Sequence, residues 1–307
     1  MKLWKKISIG SALVIIVVLV ILYFSFSILG VPYVKSIESR WGNVSSNQTE
    51  ILTEVTIENP NLFDITISSL YYEIYLNNIT IAEGWDKDIN LEHGTTILNY
   101  MTTLNVSKIP QWWSSHINNN ETTIITIRYK VFAKLGPIHK TQTIKYEYNT
   151  IHTNLLSKLK LNEPKEIIVS IPNEPELHLL TVTGFSPKWD LINEDITIIN
   201  TSLVLYNPHS TTIEVVFFNY EFIMNNFPVG WGYLASPATI PPGSAVVVNC
   251  DTIIDNKNII DWFSSHIKNG EFTQYQIKSS ANFVYEGASY LVEPINLTGE
   301  FYTNLLG

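Results

Sequence analysis

Charge is what this chain has least of. Asp, Glu, Lys and Arg make up 15% of its 307 residues, against about 25% in an ordinary globular chain. That balance excludes a charged disordered chain and a coiled coil. Cysteine is nearly absent: Cys250 stands alone, so no intrachain disulfide can form and a disulfide-stapled scaffold is excluded. Glycine, at 14 residues, is too scarce for collagen. What remains is 45% hydrophobic and 12% aromatic, with Ile, Thr, Asn and Tyr prominent in place of the Ala, Glu and Lys that fill exposed helices. This is strand-building composition, and the length predicts about two domains.

One apolar run is long. From Ile7 to Val34 no residue is charged, and Ile9 to Leu29, at about 1.5 Å per residue, is long enough to cross a hydrocarbon layer of roughly 30 Å. The sequence therefore predicts a transmembrane signal anchor over residues 7–30, with the lipid bilayer as its partner, after a cytoplasmic tail at residues 1–6 that carries Lys2, Lys5 and Lys6. By the positive-inside rule the chain would be a single-pass cell-membrane protein, with everything after the helix extracytoplasmic. A cleaved secretory signal is the alternative, but the run is longer than the usual stretch of about 7 to 15 residues and no A-x-A-like site follows. Beyond those lysines 16 basic residues face 28 acidic ones. A polyanion needs a basic surface, so nucleic acid is not expected as a partner. Seven N-x-S/T sequons, at Asn43, Asn47, Asn78, Asn105, Asn120, Asn200 and Asn296, are possible glycosylation sites and permit an extracytoplasmic placement.

The rest is one pattern written twice. Asn59-Pro60 and Asn207-Pro208 are 148 residues apart, as are Tyr72-Glu73 and Tyr220-Glu221, and Asn77-Asn78 and Asn225-Asn226. Gly84-Trp85 matches Gly230-Trp231 at 146, and Ser114-Ser115-His116-Ile117 matches Ser264-Ser265-His266-Ile267 at 150. A period near 150 is a domain duplication, since solenoid repeats are far shorter. Two tandem domains are predicted, 32–156 and 178–307, joined by a Pro- and Glu-bearing connector at 157–177. Within each the apolar period is two: Ile51, Thr53, Val55 and Ile57 alternate with polar neighbours, as do Leu203 and Leu205, and Val216, Phe218, Tyr220 and Phe222. Lys108–Asn118 and Lys257–Lys268 form the helical candidate of each copy. The fold class is mainly β: a transmembrane helix, then two antiparallel β-sandwiches, each with one short helix.

Parity singles out the Asn-Pro pairs. Asn59 shares a face with Val55 and Ile57, and Asn207 with Leu203 and Leu205, so each side chain is expected to point inward and bond turn backbone, while Pro60 and Pro208 stop the ladder. His116 and His266 lie beside Trp112-Trp113 and Trp262-Phe263. With no second ligand at i+3 or i+4, each is expected to face the helix C-terminal dipole rather than a metal. Asp86, Asp88 and Asn90 open like a calcium loop, yet Leu91 stands where glycine is needed and no Glu closes the frame. No nucleophile elbow, zinc-protease motif, phosphate loop or dinucleotide fingerprint occurs, and Cys250 has no duplicated histidine. No enzyme, catalytic residue, metal or cofactor is expected.

A strand ending in Asn59-Pro60-Asn61, an Asn-rich turn at Asn77-Asn78 and the run Ile109-Pro110-Gln111-Trp112-Trp113 together resemble the type-2 late-embryogenesis-abundant proteins, which share the WHy (water stress and hypersensitive response) domain. The membrane-anchored form looks like the desiccation-related proteins of archaea. The resemblance spans nearly all of 32–156 and 178–307. The second copy departs from it by placing His209 after Pro208 and by lacking Ile-Pro-x-Trp-Trp. It implies sandwiches similar to fibronectin type III, no catalysis, and a role in desiccation or envelope stress protection. The alternatives are a structural or adhesive envelope component binding a surface protein or glycan, and a lipid-binding module.

Overall fold

The computed structural model describes residues 32–303, apart from 136–137, 160, 162, 171–174 and 294–295, together with 305–306. The chain divides into two compact units. The first runs to His152 and takes in Thr303–Gly307; the second is Thr153–Tyr302. The single-pass membrane placement is corrected: among the described residues no helix is long and apolar enough to cross a membrane. The apolar stretch 7–30 that carried that expectation lies outside them.

The first unit is two antiparallel sheets. β1 (Tyr33–Val44), β2 (Thr49–Asn59) and β5 (Gly94–Leu104) pair in the order β1-β2-β5. β3 (Ile65–Leu76), β4 (Ile79–Leu91), β6 (Thr122–Leu135) and β7 (Ile138–His152) pair as β4-β3-β6-β7. The predicted alternation is plain in β2, where Ile51, Val55 and Ile57 are buried, as are Leu70, Ile74, Ile125 and Ile127 in the other sheet. Helix α1 (Ile109–Asn118) has Pro at its start and buries Ile109, Trp112, Trp113 and Ile117 on one face. After a four-residue helix, α2 (Leu155–Lys158), the second unit repeats the plan with β8 (Lys165–Val169), β9 (Leu177–Ile192), β10 (Ile196–Tyr206), β11 (Ile213–Met224), β12 (Phe227–Leu234), β13 (Ala238–Ile240) and β14 (Ala245–Asp255). Helix α3 (Ile259–Lys268), β15 (Phe272–Tyr285), β16 (Ala288–Val292) and β17 (Asn296–Tyr302) complete it. β8, paired with β9, lies inside the stretch read from sequence as a connector.

Here the two halves of the sandwich are continuous. β12 bonds to β11 on one side and β14 on the other, so one path runs β16-β15-β11-β12-β14-β10-β9-β8. Both units bulge at the same places. Pairing skips a residue after Ile67 in β3 and after Val215 in β11, and an extra residue swaps the faces of everything beyond it. Ile213 and Val215 are therefore in the core together with Phe218, and Val216, expected inside, is 41% exposed.

The strand register also corrects one repeat match. Tyr72 pairs with Gly84 and Tyr220 with Gly232, so the structural counterpart of Gly84 is Gly232, at 148, and not Gly230. A Cβ on Gly84 would lie 2.1 Å from the Tyr72 ring, and one on Gly232 1.9 Å from the Tyr220 ring. Each tyrosine lies across its glycine and shares a hydrogen bond with a threonine of the opposite half, Tyr72 with Thr102 at 2.9 Å and Tyr220 with Thr252 at 2.5 Å. Gly232→Ala must push the ring aside and break that bond; a loss of about 2–3 kcal/mol is expected from the displaced ring and the buried hydroxyls left unpaired. Urea unfolding monitored by fluorescence checks it, and a variant within about 0.5 kcal/mol of the parent would show that the ring moves freely.

Candidate functional site

Each unit carries two clusters of buried polar side chains at equivalent positions. The first is the Asn-Pro corner. Asn59 is 1% exposed at the end of β2; its Nδ2 donates to Phe63 O at 3.0 Å and to Leu91 O at 2.9 Å. Its Oδ1 accepts from the backbone N–H of Asn61 at 3.1 Å and from Asn61 Nδ2 at 2.8 Å. Leu91 ends β4, so one amide ties the two sheets together. Asn207 repeats this, donating to Thr211 O and Ile240 O at 2.8 and 2.9 Å and accepting from His209 N–H at 2.9 Å. His209, the departure from Asn-Pro-Asn, turns its ring elsewhere, to His178 O at 2.8 Å and Tyr285 Oη at 3.2 Å. Pro60 and Pro208 are exposed.

The second cluster joins the helix to the following strand. Trp112 Nε1 donates to Thr123 Oγ1 at 2.9 Å, and the same oxygen lies 2.8 Å from His116 Nδ1. Trp262, Thr273 and His266 form the copy, at 2.8 and 2.8 Å. A hydroxyl that accepts from indole keeps its own proton to give to Nδ1 of a neutral imidazole. Both histidines are 2% exposed, so they lie in the interior and not on the helix-terminal carbonyls as expected. Burial pushes each well below the ordinary histidine range, to about 4, against the opposing pull of Glu121 on His116 and of Glu271 on His266. The sequence reading missed Thr123 and Thr273, although a threonine seven residues after each histidine is duplicated at the same offset of 150 as the histidines themselves.

The remaining candidates fall apart as sites. Trp113 is buried beside Trp112. Among the sequons, Asn43, Asn47, Asn78, Asn105 and Asn120 are exposed. Asn200 is half-buried and its Nδ2, the atom a glycan would take, donates to Asp251 at 2.8 Å; the side chain of Asn296 lies outside the described residues. Asp86, Asp88 and Asn90 form no ligand set, and among the described residues no group of three or more His, Cys, Asp or Glu could hold a metal ion. Cys250 is buried and burial pushes its thiol up to about 12, with Asp251 adding to the shift. At neutral pH it is held as the thiol, which is not the nucleophile. Iodoacetamide at pH 8 is expected to label it no faster than the second unit unfolds; labelling at the rate of a free thiol would contradict its burial.

No reactive group in either cluster reaches solvent. What the arrangement can do is hold two sheets and a helix together with almost no polar group left over. Residues 54–149 match the family described as "Late embryogenesis abundant protein". No curated protein matches the chain. A solved protein from Archaeoglobus fulgidus is 27% identical over 39% of this chain and 98% of its own, with a TM-score of 0.35. A solved protein from Arabidopsis thaliana is 16% identical over 42% of this chain and 89% of its own, with a TM-score of 0.30. The segment that holds the first Asn-Pro corner and the first Trp–Thr–His chain, residues 54–149, is thus the part of the chain that matches the late-embryogenesis-abundant family.

Proposed function

We propose that this is a non-enzymatic protective protein of water stress, built from two late-embryogenesis-abundant domains, the second being Thr153–Tyr302. The observation that carries the reading is the duplication. The second unit repeats the corner amide and the indole–hydroxyl–imidazole chain with the same atoms, and the histidine of each chain is buried. Buried polar groups that are satisfied by one another need no water to stay paired. A domain built this way keeps its fold as water activity falls, and its acidic, hydrated surface stays available to neighbouring molecules. The test is to dry a desiccation-sensitive enzyme such as lactate dehydrogenase with an equal mass of this protein. Recovery of activity well above that with serum albumin is expected; recovery equal to albumin would remove the reading.

A second reading, an adhesive module that holds a glycan or a surface protein, is supported by one feature. Trp85 is 54% exposed on the outer face of the four-stranded sheet, edge-on to Tyr71 and Phe132 with ring centres 5.7 and 5.9 Å away. Retention of the chain on envelope polysaccharide that is lost in Trp85→Ala would favour it, and equal retention of both would dismiss it.

A further inference from the structure

One edge of the first unit is open. β1 borders the sheet β1-β2-β5, and among the described residues no strand pairs with its outer side. From Ser36 to Trp41 it runs beside β2 without a bulge, its register breaking only before and after that stretch. Glu38 and Arg40 are both exposed there, and among the described residues neither forms a salt bridge. Glu38 lies directly opposite Glu54 of β2, and like charges so placed destabilise a sheet. An open edge is a template for another strand, and natural sheets blunt it with devices such as proline.

The second copy carries that device. Ser39 pairs with Thr53, and at the equivalent position, 148 residues on, Pro187 of β9 pairs with Thr201 of β10. The ladder continues unbroken from Ser186 to Lys188, so the proline nitrogen, which has no hydrogen to give, faces the open side. Ser39 turns its N–H and C=O to that side by the same register. Its hydroxyl lies 3.2 Å from that of Thr53, the close approach of two residues that exchange no backbone bonds with each other. Ser186 and Lys188 stand where the first copy has Glu38 and Arg40, so the second edge lacks the acid as well as the free N–H. The first edge keeps both, and its charges are two residues apart. An antiparallel strand of the same sequence, centred on Ser39, sets each of them against its opposite.

We propose that the first unit pairs through β1 with a second copy of this chain, antiparallel about a two-fold axis at Ser39. In that register Glu38 of each copy faces Arg40 of the other, which offsets its opposition to Glu54, and Ile37 faces Trp41. The paired stretch is short, so the contact belongs to the weak class that forms as protein is concentrated. It goes beyond the protective reading and does not rest on it: the dimer can form while the drying assay fails, and the reverse. Sedimentation equilibrium of the whole chain, from about 10 μM to about 1 mM, is expected to show monomer in exchange with dimer. Ser39→Pro installs the residue of the sister copy, and Arg40→Glu sets like charges opposite one another twice. Each should weaken the dimer by about tenfold or more and leave the circular dichroism unchanged. Glu38→Arg should do the same. Mixing Glu38→Arg with Arg40→Glu should restore association, because every pair across the join is then an acid against a base. A chain that stays monomeric throughout, a dimer as tight in the three variants as in the parent, or no gain on mixing would each overturn the proposal.

Discussion

Asn207→Asp unfolds the second domain at a much lower urea concentration than Asn207→Ala, although it is the closer match in shape. Both hydrogens of the native amide go to carbonyl oxygens, of Thr211 and Ile240, at a position with no exposure to solvent. Alanine leaves those two oxygens without a donor, a cost of about 2–4 kcal/mol at roughly 1–2 kcal/mol for each buried group left unpaired. Aspartate goes further: at neutral pH it aims a carboxylate at two carbonyl oxygens it cannot bond, in a place where charge is poorly solvated, and a cost of about 4 kcal/mol or more follows. The protonated acid has one hydrogen to give, so the deficit of Asn207→Asp relative to Asn207→Ala should shrink toward pH 4. Asn59→Ala and Asn59→Asp should show the same order in the first unit, and there the aspartate also opposes the Asn61 side chain less than the carbonyls, since its oxygens still accept from Asn61. Equal stability of the Ala and Asp variants at pH 7 would mean that the corner is open to water and does not tie the sheets.

That corner was legible because alternation fixes parity: once Val55 and Ile57 face inward, Asn59 must as well. The same rule failed at Val216, where the bulge after Val215 inserts one residue and no residue type announces it. It failed again at Gly230-Trp231, where a likeness of two letters outweighed the tyrosine that pairs with Gly232. A strand within the Pro- and Glu-bearing stretch was missed because Lys165–Val169 is short and its partner β9 supplies the pairing. The histidines were placed on the correct helices but facing the wrong way. Helix-end chemistry is local, whereas the partners that decide the matter, Thr123 and Thr273, come from the next strand and enter only through tertiary packing.

The imidazoles set how the fold responds to acid. In the unfolded chain each histidine titrates near about 6.5, and in the folded state His116 and His266 are held down to about 4. Between those values the unfolded chain binds more protons than the folded one, so stability rises with pH across this window. The contribution is complete above about pH 6.5 and is lost progressively as pH falls toward 4. A shift of this size amounts to about 3 kcal/mol for each domain. The groups that face His116 are Glu121, which opposes the shift, and His152, which adds to it; Glu271 faces His266 and opposes it. Protonation would also put a second donor on the hydroxyl that accepts from indole, so that its own proton has to turn away from Nδ1. His266→Gln keeps a polar side chain that does not titrate, and it should flatten the pH dependence of the second domain between 6.5 and 4.5 while leaving that of the first unchanged. His116→Gln should do the converse. Urea unfolding at pH 7.0, 5.5 and 4.5 measures both, and a parent and variant with the same slope would show that the stability lost in acid comes from the carboxylates instead.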